Sequence, residues 1–342
     1  MNLHVLGTGW VTPVGRDLDT VAGRIRTGEA PTVRSVENPF SDEAHPVYLV
    51  HPGDTAESQR ERRLRRSSTI SHLAVTAAQD ALAHAGLPAT TSGDRTALLF
   101  AATNGGVIYT RRFFAEIADR GTQAGSPLLF PETVYNAPVS HIAAALGVEG
   151  TSSTIVGDST AAFSALEIAA DLLAADQCDR AIVIAAEETD WITCEGYSRW
   201  RMTSPTRRIV PFTGDGTVFG EGAAALILAR ESSTPAPILR LAPSRTFRDA
   251  ADGIVKLHGL IAQLAPDRIV SSANGTKLDV VEATAIQSRF PDLPVIPPKV
   301  VLGESFSAAS LAQVVHATRE PGTSLVTTVG LNHQLAALTV TR

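Results

Sequence analysis

Apolar residues recur along this chain in two spacings. Short runs of β-branched and aliphatic residues predict strands at Leu3–Leu6, Ala97–Ala102, Thr154–Val156, Arg180–Ala186 and Ala223–Ala229. Four more fall at Ile238–Leu241, Arg268–Ser272, Ser324–Val329 and Leu335–Thr341. Spacings of three and four predict helices over about 70–85, 108–120 and 136–146, with Gly86 and Gly147 as stops to the first and third. Further helices are expected at about 247–264, 280–290 and 308–317, and one capped by Asp17 or Asp19 running to Arg26. Residues 31–55 lack either period and read as irregular surface. Residues 191–208 read as an irregular aromatic segment carrying Trp191, Tyr197 and Trp200, of the sort that covers a site.

The stretch Thr154–Glu188 organises the rest. Its first strand meets a turn at Gly157-Asp158-Ser159, and a helix follows with small or apolar residues at Ala162, Ala165, Leu166, Ala169, Leu172 and Leu173. This layout puts Ser159 at a helix N-terminus, where free N–H groups favour an oxyanion. Two readings stay open: a nucleophile, or a small turn residue that caps the helix. Strand–turn–helix units recur after a linker at Ser232–Pro237, which predicts a duplicated α/β architecture with halves at 1–232 and 236–342.

Composition narrows the function. The 342 residues are 44% hydrophobic and 19% charged, with a net charge of −6, which suits a packed α/β protein and gives no reason to expect nucleic acid. Two cysteines, Cys178 and Cys194, form neither a disulfide framework nor a metal cluster. No metal or cofactor is expected. No apolar run reaches membrane-spanning length and the N-terminus lacks a signal-peptide pattern, so a soluble, cytoplasmic protein is expected. The arginine-rich QRERRLRRSS, residues 59–68, reads either as a solvated loop or as a patch for an anionic partner.

Several segments, in order along nearly the whole chain, resemble the β-ketoacyl synthases of the thiolase fold. They are VLGTGWVTPVG, VYNAPVSHIAAALGVEG, PFTGDGTVFGEGAAALIL, SANGTKLDVVEATAI and PPKVVLGESFSAAS. The resemblance implies two related halves in a five-layered αβαβα arrangement and acyl-carrier-protein chemistry. In that family a cysteine takes the acyl group, and two histidines stabilise the enolate formed by decarboxylation. Here Ser159 stands at the cysteine position, Asn274 and Glu304 at the histidine positions, and only the family's lysine is kept, as Lys299.

A carboxylate opposes a developing oxyanion and an amide cannot take a proton, so condensation is not expected. The pattern is most similar to a chain-length-factor subunit, which pairs with an active ketosynthase in polyketide or unusual fatty-acid biosynthesis. The implied partners are a ketosynthase chain, or a second copy of this one, and acyl carrier protein. The resemblance places the dimer contact at about Arg180–Ala186. It lines the acyl cavity with Phe113, Phe130, Tyr135 and Phe163, of which Phe113 and Phe163 would limit chain length. The rival reading keeps Ser159 as nucleophile with His333 as base, oriented by Glu304 or Asp158. That would be an acyltransferase or thioesterase acting on carrier-protein or CoA thioesters.

Overall fold

The computed structural model describes residues 2–90 and 95–342. The first half forms β1 (Leu3–Val11), α1 (Leu18–Thr27), β2 (Arg34–Glu37), β3 (Ala44–Tyr48), α2 (Ala56–Arg60), α3 (Thr69–His84), β4 (Thr96–Ala102) and α4 (Val107–Arg120). It continues with α5 (Ala137–Leu146), β5 (Ser152–Val156), α6 (Ala161–Ala174), β6 (Arg180–Glu187), α7 (Trp191–Arg199), β7 (Phe219–Gly220) and β8 (Gly222–Ala229). The second half forms β9 (Ile238–Thr246), α8 (Ala250–Ile261), β10 (Arg268–Val270), α9 (Asp279–Arg289) and β11 (Val295–Ile296). It closes with α10 (Lys299–Leu302), α11 (Phe306–Ala317), β12 (Thr323–Val329) and β13 (Gln334–Thr341).

Both halves arrange five strands in one pattern. The first half reads β5-β4-β6-β8-β1 across the sheet and the second β11-β10-β12-β13-β9. The first three strands of each set run parallel and the next two pairings are antiparallel. The halves join where β1 and β9 pair antiparallel, Leu3 to Leu239 and His4 to Ile238. Equal strand order and equal polarity are the signature of a duplicated unit.

Strand alternation then sets the layers. Leu98, Phe100, Ile182 and Ile184 face one way, into a core with Leu73, Ala77 and Ala81 of α3 and Ile142 of α5. Leu99, Ala101, Val183 and Ala185 face the other way, against α6 and α11, together with Val270, Val326 and Leu338 of the second half. The second half covers its far face with α8 and α9 through Leu257, Ile261, Val281 and Ile286. The result is the five-layered αβαβα arrangement, with α6 and α11 as the shared middle layer. Gly7 and Gly9 let α3 lie directly on β1: a Cβ at either would overlap the carbonyl oxygen of Ala81 or Ala77.

Three expectations are corrected. Residues 31–55 contain β2 and β3, which join β7 in a small three-stranded sheet; β2 pairs with β3, and β3 with β7, whose residues are distant in sequence (Val47 with Phe219, Tyr48 with Gly220). Residues 191–199 form α7, started by the Asp190 carboxylate accepting from Ile192 N–H at 3.1 Å. Arg180–Ala186 cannot be a dimer edge, since β6 is paired on both sides, by β4 and β8. The outer strand of the first half is β5, and Val156 at its end is 53% exposed. Among the described residues no helix is long and apolar enough to cross a membrane.

Candidate active site

The turn after β5 is buried. Asp158, Ser159 and Thr160 all lie inside, and the helical residues of α6 begin only at Ala161, with Thr160 as N-cap. Ser159 therefore stands one residue outside the cap position. The second half closes over this turn through the segment 330–334. Asp158 Oδ2 accepts from the Asn332 N–H at 2.8 Å, and Thr160 Oγ1 donates to Gln334 Oε1 at 2.7 Å. A Cβ on Gly330 would run into the Asp158 carboxylate and displace it. Burial, reinforced by the nearby Glu304 charge, raises the Asp158 carboxyl above its ordinary range.

Glu304 is the hub of the site. Its Oε2 accepts from Lys299 Nζ at 2.7 Å and from Asn274 Nδ2 at 2.6 Å, and its Oε1 from the Phe306 N–H at 2.7 Å. Lys299 and Glu304 are 0% and 1% exposed, so this pair is sealed from water. The backbone of Glu304 is anchored by Glu304 N–H to Val218 O and Gly220 N–H to Glu304 O. Asn274 is held in turn: its Oδ1 accepts from Thr276 N–H and Oγ1, and its N–H donates to Asp279 Oδ1 at 3.0 Å. Asp279 also accepts from the N–H groups of Gly275 and Phe212. Burial raises its carboxyl, and those three N–H donors pull it back.

Aromatic side chains roof the hub. Tyr197 of α7 packs on Phe219 at 5.0 Å and Phe306 at 5.6 Å, and Trp200 meets the Tyr197 ring edge-on. Phe306 adopts φ 46°, a left-handed conformation costly for a bulky residue, while its N–H donates to Glu304. The Tyr197 phenol is pushed up to about 12 by burial, with Glu304, Asp158 and Glu187 adding to the shift. Behind them, Glu187 accepts from the N–H groups of Thr103 and Asn104, and burial pushes it up to about 7. Tyr197 and Trp200 stand out in the sequence as aromatics in a covering segment. The roles of Asp279, Phe219 and Phe306 carry no such signal, because they arise from contacts across the two halves.

The structure brings Asn274, Lys299 and Glu304 into one hydrogen-bonded group and leaves His333 out of it. His333 is exposed, lies at φ 61° and stacks on Phe247 at 4.9 Å with rings 8° from parallel. Among the described residues no hydrogen bond joins it to Ser159, Asp158 or Glu304. Among the described residues no side-chain hydrogen bond joins Ser159 to a base, and a hydroxyl without one is a poor nucleophile.

The expected acyl-cavity residues divide. Phe113 and Phe130 touch, with centroids 5.7 Å apart, and Phe130 is 56% exposed. Tyr135, Phe114, Leu128 and Val134 are exposed nearby in the same 107–135 excursion. Phe163 is elsewhere: it is fully buried on α6, in the core between the halves. It cannot line a cavity with Phe113, because the helix face that carries it is filled by the protein's own sheets.

The family model described as "Beta-ketoacyl synthase, N-terminal domain" matches residues 3–234, more than half of the chain. The chain belongs to the β-ketoacyl synthase family. Solved structures agree on the fold. A β-ketoacyl synthase from Burkholderia phymatum superposes with TM-score 0.87 at 16% identity, covering 100% of this chain and 99% of the other. The ishigamide ketosynthase/chain length factor gives TM-score 0.81 at 18% identity, with 99% of each chain covered. The AntDE:AntF complex, a type II polyketide synthase acyl-carrier protein with its ketosynthase bound to the hexaketide, gives 0.82 at 16% identity, again covering 99% of each chain. No curated protein matches the sequence. Where the family resemblance places two histidines, this chain carries the Asn274 amide and the Glu304 carboxylate, hydrogen-bonded to each other and, through Glu304, to Lys299.

Proposed function

We propose that this chain is a non-condensing, chain-length-factor-type subunit that pairs with an active ketosynthase in polyketide or related acyl-chain biosynthesis. The observation that supports it most directly is the Glu304 carboxylate, buried and shared between Lys299 and Asn274. A negative group there repels an enolate oxyanion, and both neighbouring donors are already engaged. On this reading the two halves, 1–232 and 236–342, serve as scaffold, and the chain works in the cytoplasm.

Partner pairing is supported by the free edge of β5, with Val156 exposed at its end, and by the exposed Phe130, Val134 and Tyr135. Unpaired strand edges flanked by apolar surface are stable when another chain covers them. Phe113 and Phe130 would then stand at the boundary between the chains, where bulk limits acyl length. The exposed Arg60, Arg62, Arg65 and Arg66, none of which forms an ion pair among the described residues, suit an acidic carrier protein.

Co-expression with a ketosynthase that keeps its cysteine and two histidines tests the proposal. A one-to-one complex by light scattering, with product formed only when both chains are present, is expected. A monodisperse homodimer that turns over acyl thioesters by itself would sink the reading.

A further inference from the structure

A second cluster of chemically active side chains lies between β3 and α7. His45 sits on β3 and is 5% exposed. It shares a face with Val47, two residues on, which packs with Cys194 of α7 and with Phe219 and Phe306. Glu43 stands just before β3, where its carbonyl accepts from the Asn38 N–H, and its carboxylate reaches the same place. Glu195 of α7 completes the group: His45 Nε2 and Glu195 Oε2 are 3.1 Å apart. One ligand atom from each of Glu43, His45 and Glu195 lies within 4.8 Å of the other two.

We propose that Glu43, His45 and Glu195 bind one divalent transition-metal ion, of which zinc is the representative. An imidazole nitrogen and one oxygen from each of two carboxylates converge on a single point between β3 and α7. A cation there would be held by all three, in place of the direct contact between His45 and Glu195. One imidazole nitrogen with two carboxylate oxygens is a donor set that favours zinc-like ions over magnesium or calcium. Ligands about 2.1 Å from a shared ion stand a little over 3 Å from one another, so the present spacing needs only a small closure.

The surroundings fit the same assignment. Arg199 Nε donates to Glu195 Oε1 at 2.8 Å, which leaves Oε2 turned toward His45 in the manner of an outer-shell partner. Glu43 forms no ion pair of its own among the described residues. A surface cleft lined by Asp42, Glu43, Arg111 and Trp191 opens beside the group and gives water and metal a way in. Bound metal would fasten the small sheet to α7, whose Tyr197 roofs Glu304, and so steady that roof. This inference is independent of the proposed pairing with a ketosynthase.

The test uses the full-length protein after chelator treatment, titrated with zinc by calorimetry and followed by melting temperature and hydrogen exchange. One zinc per chain, a raised melting temperature and slower exchange across 191–199 are expected, with no response to magnesium. His45→Gln should weaken zinc binding at least about tenfold, the scale on which metal-site substitutions act. Glu43 is exposed, so Glu43→Gln should keep the metal-free melting temperature and still weaken binding. Absence of stoichiometric zinc, or zinc binding that neither variant alters, would overturn the assignment.

Discussion

Lys299 Nζ lies 2.7 Å from Glu304 Oε2, and neither side chain reaches solvent. Such a pair is costly to bury but far costlier to break, since the remaining charge has no water to turn to. Lys299→Met is expected to destabilise the protein by about 3–5 kcal/mol in chemical denaturation. Lys299→Met combined with Glu304→Gln should recover most of that loss. A single variant as stable as the parent would show that the charges are not paired.

Phe163 and Phe113 should separate cleanly. Phe163 is core, so Phe163→Ala is expected to cost about 3–5 kcal/mol of stability. Phe113→Ala, half-exposed beside Phe130, should cost far less and lengthen the acyl product of the assembled complex. Product analysis by mass spectrometry and denaturant midpoints for each variant would check both halves of this statement.

Several buried carboxyls tie stability to pH. Burial raises Glu187 and Glu221 to about 7 and Glu188 to about 8. The folded state therefore keeps protons that the unfolded chain releases from about pH 4.3 upward. The stability these groups lend is complete below that value and is lost as pH rises through 7 and 8. His316 works the other way: burial lowers it to about 4, so its contribution is present above about pH 6.5 and is lost as pH falls toward 4. Denaturant midpoints should fall from about pH 6 to pH 8 and level off above it. Glu188→Gln should reduce that slope by about one proton, and an unchanged slope would contradict the assignment.

Charge reversal at Arg62 and Arg65 should leave folding unchanged within about 0.5 kcal/mol, because both side chains are exposed and make no ion pair among the described residues. It should weaken carrier-protein binding to the assembled complex and flatten its salt dependence. Surface plasmon resonance at two ionic strengths would read both effects.

Ser159→Ala is expected to leave product formation by the complex within about twofold, the scale of a change that touches no transition-state contact. A mass shift on Ser159 after incubation with an acyl carrier thioester would overturn that expectation.

Much of this protein follows from sequence alone. Apolar periods of two and of three-to-four fix most strands and helices, and glycine ends the helices at Gly86 and Gly147 because it accepts positive φ, here 66° and 68°. The family motifs also locate Ser159, Asn274, Lys299 and Glu304, since local spacing preserves them. What the sequence could not decide are relations between distant segments. Whether β6 or β5 forms an edge depends on which strands pair beside it, and those partners lie dozens of residues away. Phe163 and Phe113 look alike as letters, yet one faces a filled core and the other the surface. His333 stands where a loop alignment suggests a base, but its ring is held by Phe247, a residue of another strand's end. Asn274 and Glu304 are separated by 30 residues. Only folding the second half against α7 and β7 turns them, with Lys299, into one closed network.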